Sequence, residues 1–183
     1  MQHKPQVILT WVSWSGKSSL MDSLLKLYPQ FFSRPIQYTT RQPRSDDELD
    51  SYVFLTKQQF IAKLENWDFI EYTLYNWNYY ALSVFNNYDT SNIFIVEPVW
   101  RAALKKYFHQ NWIPYLWFYL ELDEKTARQR MINRWDSKKS IDERLKDFLY
   151  FHPEVDDKIL DADVRLEKNV SFVASSLWAS QAT

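Results

Sequence analysis

The chain contains no cysteine and a single glycine, Gly16, among its 183 residues. Without cysteine there is no disulfide, no thiolate zinc site and no thiol nucleophile, and the composition fits a reducing, cytoplasmic setting. The shortage of glycine is harder to accommodate. Average usage near 7% would supply roughly 13 glycines in a chain of this length, and turns that need a left-handed residue depend on them. Neither sign of charge dominates: 22 Lys and Arg stand against 23 Asp and Glu, a net charge of −1. That balance gives no reason to expect a nucleic-acid or membrane partner. The longest apolar run, Ile113 to Leu120, is far short of the ~20 residues a membrane span requires, and no long apolar segment opens the chain. The histidines, His3, His109 and His152, are scattered without metal-ligand spacing.

Tryptophan is abundant instead. There are nine, Trp11, Trp14, Trp67, Trp77, Trp100, Trp112, Trp117, Trp135 and Trp178. Three follow asparagine at points where one element ends and another begins, where Asn-Gly is the expected turn dipeptide. A tryptophan-rich core would place them on apolar faces, and most do not fall there. The expectation is that all nine positions carry glycine in the working protein. Some bacterial lineages decode UGA as glycine, and reading such a gene with UGA as tryptophan produces this pattern.

The most informative stretch is Val7 to Leu20, VILTWVSWSGKSSL. An apolar strand leads through a turn into Gly16-Lys17-Ser18 and a helix with apolar Leu20, Leu24, Leu25 and Leu27, the setting in which a phosphate-binding loop has physical meaning. Backbone amides around Ser13 to Ser19 would cradle phosphates at a helix N-terminus. Lys17 would reach the β- and γ-phosphates and the Ser18 hydroxyl would ligate Mg²⁺. Strands alternating with helices predict an α/β fold, a P-loop NTPase-type parallel sheet with helices on both faces. One domain over 1–183 is expected, with a core of 1–33, 84–122 and 151–183, a small strand-rich insertion at 34–83 and a helical lid at 123–150. Boundary signals predict a helix over Lys17–Leu27, a capping box at Thr56-x-x-Gln59 and a hairpin around Asn76-Trp77. They also predict a helix capped by Asp123, a helix from Ser140 to about Phe151 and a last strand over Ala162–Leu166. Arginine is clustered: Arg34, Arg41 and Arg44 in the first insertion, and Arg128, Arg130, Arg134 and Arg144 in the second.

VILTWVSWSGKSSL, TTRQPR (Thr39 to Arg44), FIEYTLYNWNYY (Phe69 to Tyr80) and RMINRW (Arg130 to Trp135) occur in this order, and together they resemble guanylate kinase over residues 6 to 178. The resemblance implies ATP-dependent phosphorylation of GMP, or dGMP, to the diphosphate, with Mg²⁺ accompanying ATP. It implies ATP binding by Trp11, Val12, Ser13, Trp14, Ser15, Gly16, Lys17, Ser18 and Ser19, with Asp163 near the adenine. Arg41, Arg44, Tyr52 and Tyr80 match positions that hold the acceptor phosphate, Glu71 the residue that reads guanine, and Glu97 an acceptor-side carboxylate. Lys17 and Arg41 with the lid arginines Arg130, Arg134 and Arg144 match the catalytic set. Residues 34–83 would then be the acceptor-binding insertion. A monomer or weak homodimer is expected, with ATP and GMP as its ligands. The sequence departs from the family at Gln37 and Leu82, where small hydroxyl residues are usual, and at Ile95, where a carboxylate is usual.

Two other readings remain: a catalytically inactive guanylate-kinase-like phosphopeptide-binding module, and a related P-loop kinase with another phosphorylated acceptor. Retained Lys17, Arg130 and Arg134 favour an enzyme, because binding modules of this type typically lose the donor lysine. As written, Trp11 and Trp14 occupy a loop whose amides must approach phosphates closely. The literal tryptophan chain is therefore expected to bind ATP weakly or not at all, and tight ATP binding in a calorimetric titration would contradict this.

Overall fold

In the computed structural model, which describes residues 3–11, 15–43, 52–75, 77–83, 90–96 and 100–181, the chain opens with β1 (Gln6–Trp11), α1 (Lys17–Leu27) and β2 (Phe32–Ser33). A strand-rich segment follows: β3 (Gln37–Thr39), β4 (Val53–Phe54), α2 (Lys57–Glu65), β5 (Phe69–Tyr75) and β6 (Asn78–Ser83). Then come β7 (Ser91–Ile95), α3 (Arg101–Gln110), β8 (Tyr115–Glu121), α4 (Glu124–Asn133), α5 (Lys138–Arg144), α6 (Asp147–Tyr150), β9 (Lys158–Asp161) and α7 (Leu166–Gln181).

β1 is the middle of a five-stranded sheet in the order β2-β7-β1-β8-β9, parallel throughout. Its alternating side chains serve two cores, as the period of a strand requires. Val7 and Leu9 pack with Leu20 and Leu24 of α1 and Val173 and Leu177 of α7. Ile8 faces the other way, toward Leu104 and Phe108 of α3. Each such fully buried side chain contributes about 1.5–3 kcal/mol. A third cluster joins Tyr119 of β8 to Ala127 and Met131 of α4 and Ile141 of α5. Burial pushes the Tyr119 phenol up to about 12, aided by the nearby charges of Glu121 and Asp157. Its hydroxyl donates to the Phe151 carbonyl at 2.7 Å. The second sheet, β4-β3-β6-β5, is antiparallel except for the β3–β4 pair.

Helix starts follow their signals. Thr56 and Gln59 form the full capping box of α2, and Asp123 accepts the Thr126 N–H at 2.9 Å to cap α4. Three helix ends share one device. After α2, Trp67 donates to the Leu64 carbonyl and Asp68 to the Lys63 carbonyl. After α3, Trp112 donates to His109 and Ile113 to Phe108; after α4, Trp135 donates to Ile132 and Asp136 to Met131. Each is a Schellman closure, whose pivot residue is left-handed and usually glycine. The pivots Trp67, Trp112 and Trp135 have φ of 59°, 54° and 64°. Trp77, in the β5–β6 hairpin, has φ 63°.

Trp117 of β8 is a different case. It is 3% exposed, its Nε1–H donates to Thr10 Oγ1 at 2.9 Å, and the Arg101 guanidinium lies 4.3 Å from its ring centre. The expectation that all nine tryptophans stand for glycine is corrected here, because this pocket is filled and hydrogen-bonded by an indole. Arg101 itself pairs with Asp157 through both terminal nitrogens, and its Nε lies 2.8 Å from Glu154.

Three boundaries also require correction. The helix expected from Ser140 starts at Lys138, because Ser137 accepts the Ser140 N–H at 3.2 Å. It also ends at Arg144, and α6 is separate. The last strand is Lys158–Asp161 rather than Ala162–Leu166. Leu160 is the buried residue that seats it, whereas Leu166 begins α7.

The Thr126 hydroxyl, and after it the Thr126 N–H, holds the Asp123 carboxyl below its ordinary range. A depressed carboxylate contributes stability above its unfolded pKa and loses it as pH falls through the folded value. Acid titration is therefore expected to loosen the start of α4, and Asp123→Asn to remove that pH dependence in amide-exchange measurements while keeping the cap. Asp157→Ala, which leaves buried Arg101 with Glu154 as its remaining carboxylate partner, is expected to cost up to about 3–5 kcal/mol in urea unfolding.

Candidate active site

Ligands of open parallel sheets bind beyond the carboxyl ends of the strands, and the relevant cavity lies there, at the end of β7 and the start of α1. It holds about 500 Å³ and is lined by Lys17 and Ser18 of α1, Ile95 at the end of β7 and Val96 after it, Tyr52 just before β4, and Thr73 and Tyr80 of the second sheet. Gly16 precedes α1 in a left-handed conformation, φ 84°, and no side chain caps the helix. The helix ladder begins with the Leu20 N–H on the Gly16 carbonyl at 3.0 Å. The amides of Lys17, Ser18 and Ser19 precede it, at the positive end of the helix dipole. Ser15 adds a buried hydroxyl with no hydrogen-bond partner, which an incoming phosphate oxygen would satisfy. Among the described residues no three His, Cys, Asp or Glu side chains gather around a metal position. The single hydroxyl of Ser18 suits Mg²⁺, which keeps most of its ligands as water and substrate phosphate.

The Thr39-Thr40-Arg41 segment is fixed by its hydroxyls. Thr39 Oγ1 donates to the Tyr79 carbonyl at 2.9 Å and accepts the Arg41 N–H at 3.1 Å, while Thr40 Oγ1 accepts the Tyr79 N–H at 2.9 Å. This seats Arg41 beside Tyr52, its guanidinium 5.7 Å from that ring. Tyr80 pairs with Thr73 across β6 and β5, and both face the cavity. Glu71, two residues earlier on β5, has its Oε1 accepting the Tyr72 N–H at 2.9 Å; neither Glu71 nor Arg41 is among the residues that line the cavity.

Sequence reasoning gave no role to Arg34 or Thr73, which also line the cavity, together with Gln37. Arg34 Nη2 donates to Asp22 Oδ1 at 2.9 Å, tying the β2–β3 connection to α1. Its membership of the Arg34–Arg41–Arg44 cluster was the available signal. Leu82 is fully buried in the core with Ile8 and Phe94, paired across the second sheet with Glu71 and Gln37.

The other expected residues are placed apart. Arg130 donates to the Ala162 carbonyl and to Asp163, both at 3.0 Å, so an expected catalytic group and an expected adenine neighbour are paired with each other. Arg134 is the C-cap of α4, and Arg144 Nε donates to Ser140 Oγ at 3.3 Å. None of these three lines the cavity. Trp11 ends β1 opposite Leu120. Val12, Ser13, Trp14, Arg44 and Glu97 lie outside the described residues. A wider depression of about 1010 Å³ lies near Pro114, Arg101 and Asp157. Arg101 and Asp157 within it are paired with each other.

A parallel sheet with a helix N-terminus at the end of its central strand and a second sheet over that end defines a P-loop α/β protein. The sequence model of the guanylate kinase family matches residues 2–97. Relatives include protein lin-2 of Caenorhabditis elegans, 26% identical over 84% of this chain and 17% of that protein. The guanylate kinase of Clostridium acetobutylicum is 33% identical over 54% of this chain and 48% of its own length. That of Mesomycoplasma hyopneumoniae is 29% identical over 78% and 62%. The chain thus spans less than two thirds of the length of each of these relatives. Among solved structures, guanylate kinase from Anaplasma phagocytophilum superposes with a TM-score of 0.70 at 17% identity, covering 100% of this chain and 89% of that one. The chain belongs to the guanylate kinase family.

Charge-assisted hydrogen bonds contribute about 1.5–3 kcal/mol each. Arg41→Ala is accordingly expected to weaken binding of a nucleoside monophosphate roughly 10- to 100-fold by calorimetry. Arg34→Ala should weaken it less and leave thermal stability nearly unchanged, since exposed ion pairs such as Arg34–Asp22 contribute little.

Proposed function

We propose that this chain transfers the γ-phosphoryl group of ATP to GMP, or dGMP, giving ADP and the nucleoside diphosphate. The observation that carries this reading is the shared cavity: Lys17 and Ser18 of the donor side and Tyr52 and Tyr80 of the acceptor side line one space. The acceptor phosphate, with a second pKa near 6, is largely dianionic at neutral pH, so no general base is required. One of its oxygens attacks the γ-phosphorus in line, and the bond from that phosphorus to the β–γ bridging oxygen breaks. Lys17 and the α1 amides hold the β- and γ-phosphates, while Arg41, Tyr52 and Tyr80 hold the acceptor phosphate. Mg²⁺, coordinated by Ser18 and the ATP phosphates, would offset charge on the transferring group. Arg130, Arg134 and Arg144 would complete charge neutralisation when residues 123–150 close over the substrates. Glu71 would select guanine, since its carboxylate accepts the N1–H and N2–H₂ donors that adenine does not present.

The departures at Gln37, Leu82 and Ile95 bear on which base is accepted rather than on the reaction. The test is ADP release, coupled to a dehydrogenase, with GMP, dGMP, AMP, CMP and UMP, on a chain with glycine at positions 11 and 14. Turnover with GMP or dGMP above the others is expected, falling about 100-fold or more in Lys17→Ala. Phosphopeptide binding without ADP release would instead establish a non-catalytic module, and preference for another acceptor would establish a different kinase.

A further inference from the structure

We propose that Trp67, Trp77, Trp112 and Trp135 stand where the working protein carries glycine, that Trp11 and Trp14 of the phosphate loop share this origin, and that Trp117 is a true tryptophan. The evidence is conformational. These four are the non-glycine residues with positive φ among the described residues, at 59°, 63°, 54° and 64°. A β-carbon in that region collides with the following carbonyl oxygen, and only glycine occupies it without cost. Three of the four occupy the pivot of a Schellman closure with both closing hydrogen bonds present, the helix-end position where glycine is most enriched. The fourth lies in the loop joining β5 and β6, where Tyr75 pairs with Asn78 and hairpin twist favours a left-handed residue.

Their side chains do nothing that tryptophan is used for. A packed indole buries about 150–250 Å² and usually satisfies its N–H. These four are 86%, 85%, 89% and 94% exposed. Trp117 is the counter-example within the same chain: 3% exposed, hydrogen-bonded to Thr10 and stacked by Arg101. Trp178, inside α7 and edge-on to Tyr28 at 5.8 Å, also has a tryptophan environment. One residue type therefore occupies two incompatible kinds of site. A gene in which UGA means glycine and UGG means tryptophan, read with both as tryptophan, produces that division.

The consequence reaches the site, and this part rests on the proposed phosphoryl transfer. Glycine at positions 11 and 14 gives the loop G-x-x-G-x-G-K-S, whose amides can approach phosphates closely.

The experiment compares four full-length chains: the literal sequence; Trp67→Gly, Trp77→Gly, Trp112→Gly and Trp135→Gly together; those four with Trp11→Gly and Trp14→Gly; and Trp117→Gly alone. The fourfold chain is expected to unfold about 8 °C or more above the literal chain, four left-handed positions being relieved together. Trp117→Gly is expected to unfold well below it. The sixfold chain should bind ATP at least tenfold tighter than the fourfold. An unchanged or lower midpoint in the fourfold chain, or UGG codons at 67, 77, 112 and 135, would overturn the inference. A raised midpoint and restored ATP binding without GMP phosphorylation would leave it standing and overturn the proposed activity instead.

Discussion

A change of chain direction through one left-handed residue is the constraint on which this fold depends. α2 turns into β5, α3 into β8 and α4 toward α5 by the same closure, and the β5–β6 hairpin reverses at a fourth such residue. These turns lead into the second sheet, return the chain to β8 beside β1, and set α4 against α5. An L-residue in that conformation costs about 1–2 kcal/mol, against a total stability of about 5–15 kcal/mol for an ordinary domain. The identity of the residue at those four positions is thus a matter of whether the chain folds, as well as how.

Given those turns, the remaining geometry follows from strand alternation. Val7 and Leu9 hold α1 and α7 on one face, and Ile8 holds α3 on the other. Parallel pairing of β1 with β7 and β8 then sends the chain out at the carboxyl edge, where the start of α1 presents its amides and Lys17 to the cavity. The threonines at 39 and 40 clamp their segment onto Tyr79, so that Arg41, Tyr52 and Tyr80 share one region. Arg130 is held elsewhere, tied to Asp163 and the Ala162 carbonyl.

Elements with local signals were legible in the sequence. α1, the Thr56 capping box, the Asp123 cap and the 76–77 hairpin each depend on contacts within a few residues, which a short window contains. β2 and β9 were not. Phe32–Ser33 forms a strand because it meets Ser91 and Asn92, and Lys158–Asp161 because Leu160 docks beside Leu120; neither partner is near in sequence. The Arg130–Asp163 pair and the Arg34–Asp22 tether are likewise products of tertiary placement. Tryptophan at turn positions was visible early, but only φ and exposure separate Trp67, Trp77, Trp112 and Trp135 from Trp117.

The proposed transfer requires donor and acceptor phosphates to meet in the cavity lined by Lys17 and Tyr80. The most direct measurement is a single-turnover ³¹P NMR experiment with ATP, Mg²⁺, GMP and stoichiometric sixfold glycine-substituted chain. The ATP γ-resonance is expected to be replaced by the β-resonance of GDP, with no inorganic phosphate. Persistence of ATP, or its conversion to ADP and free phosphate with GMP unchanged, would contradict it.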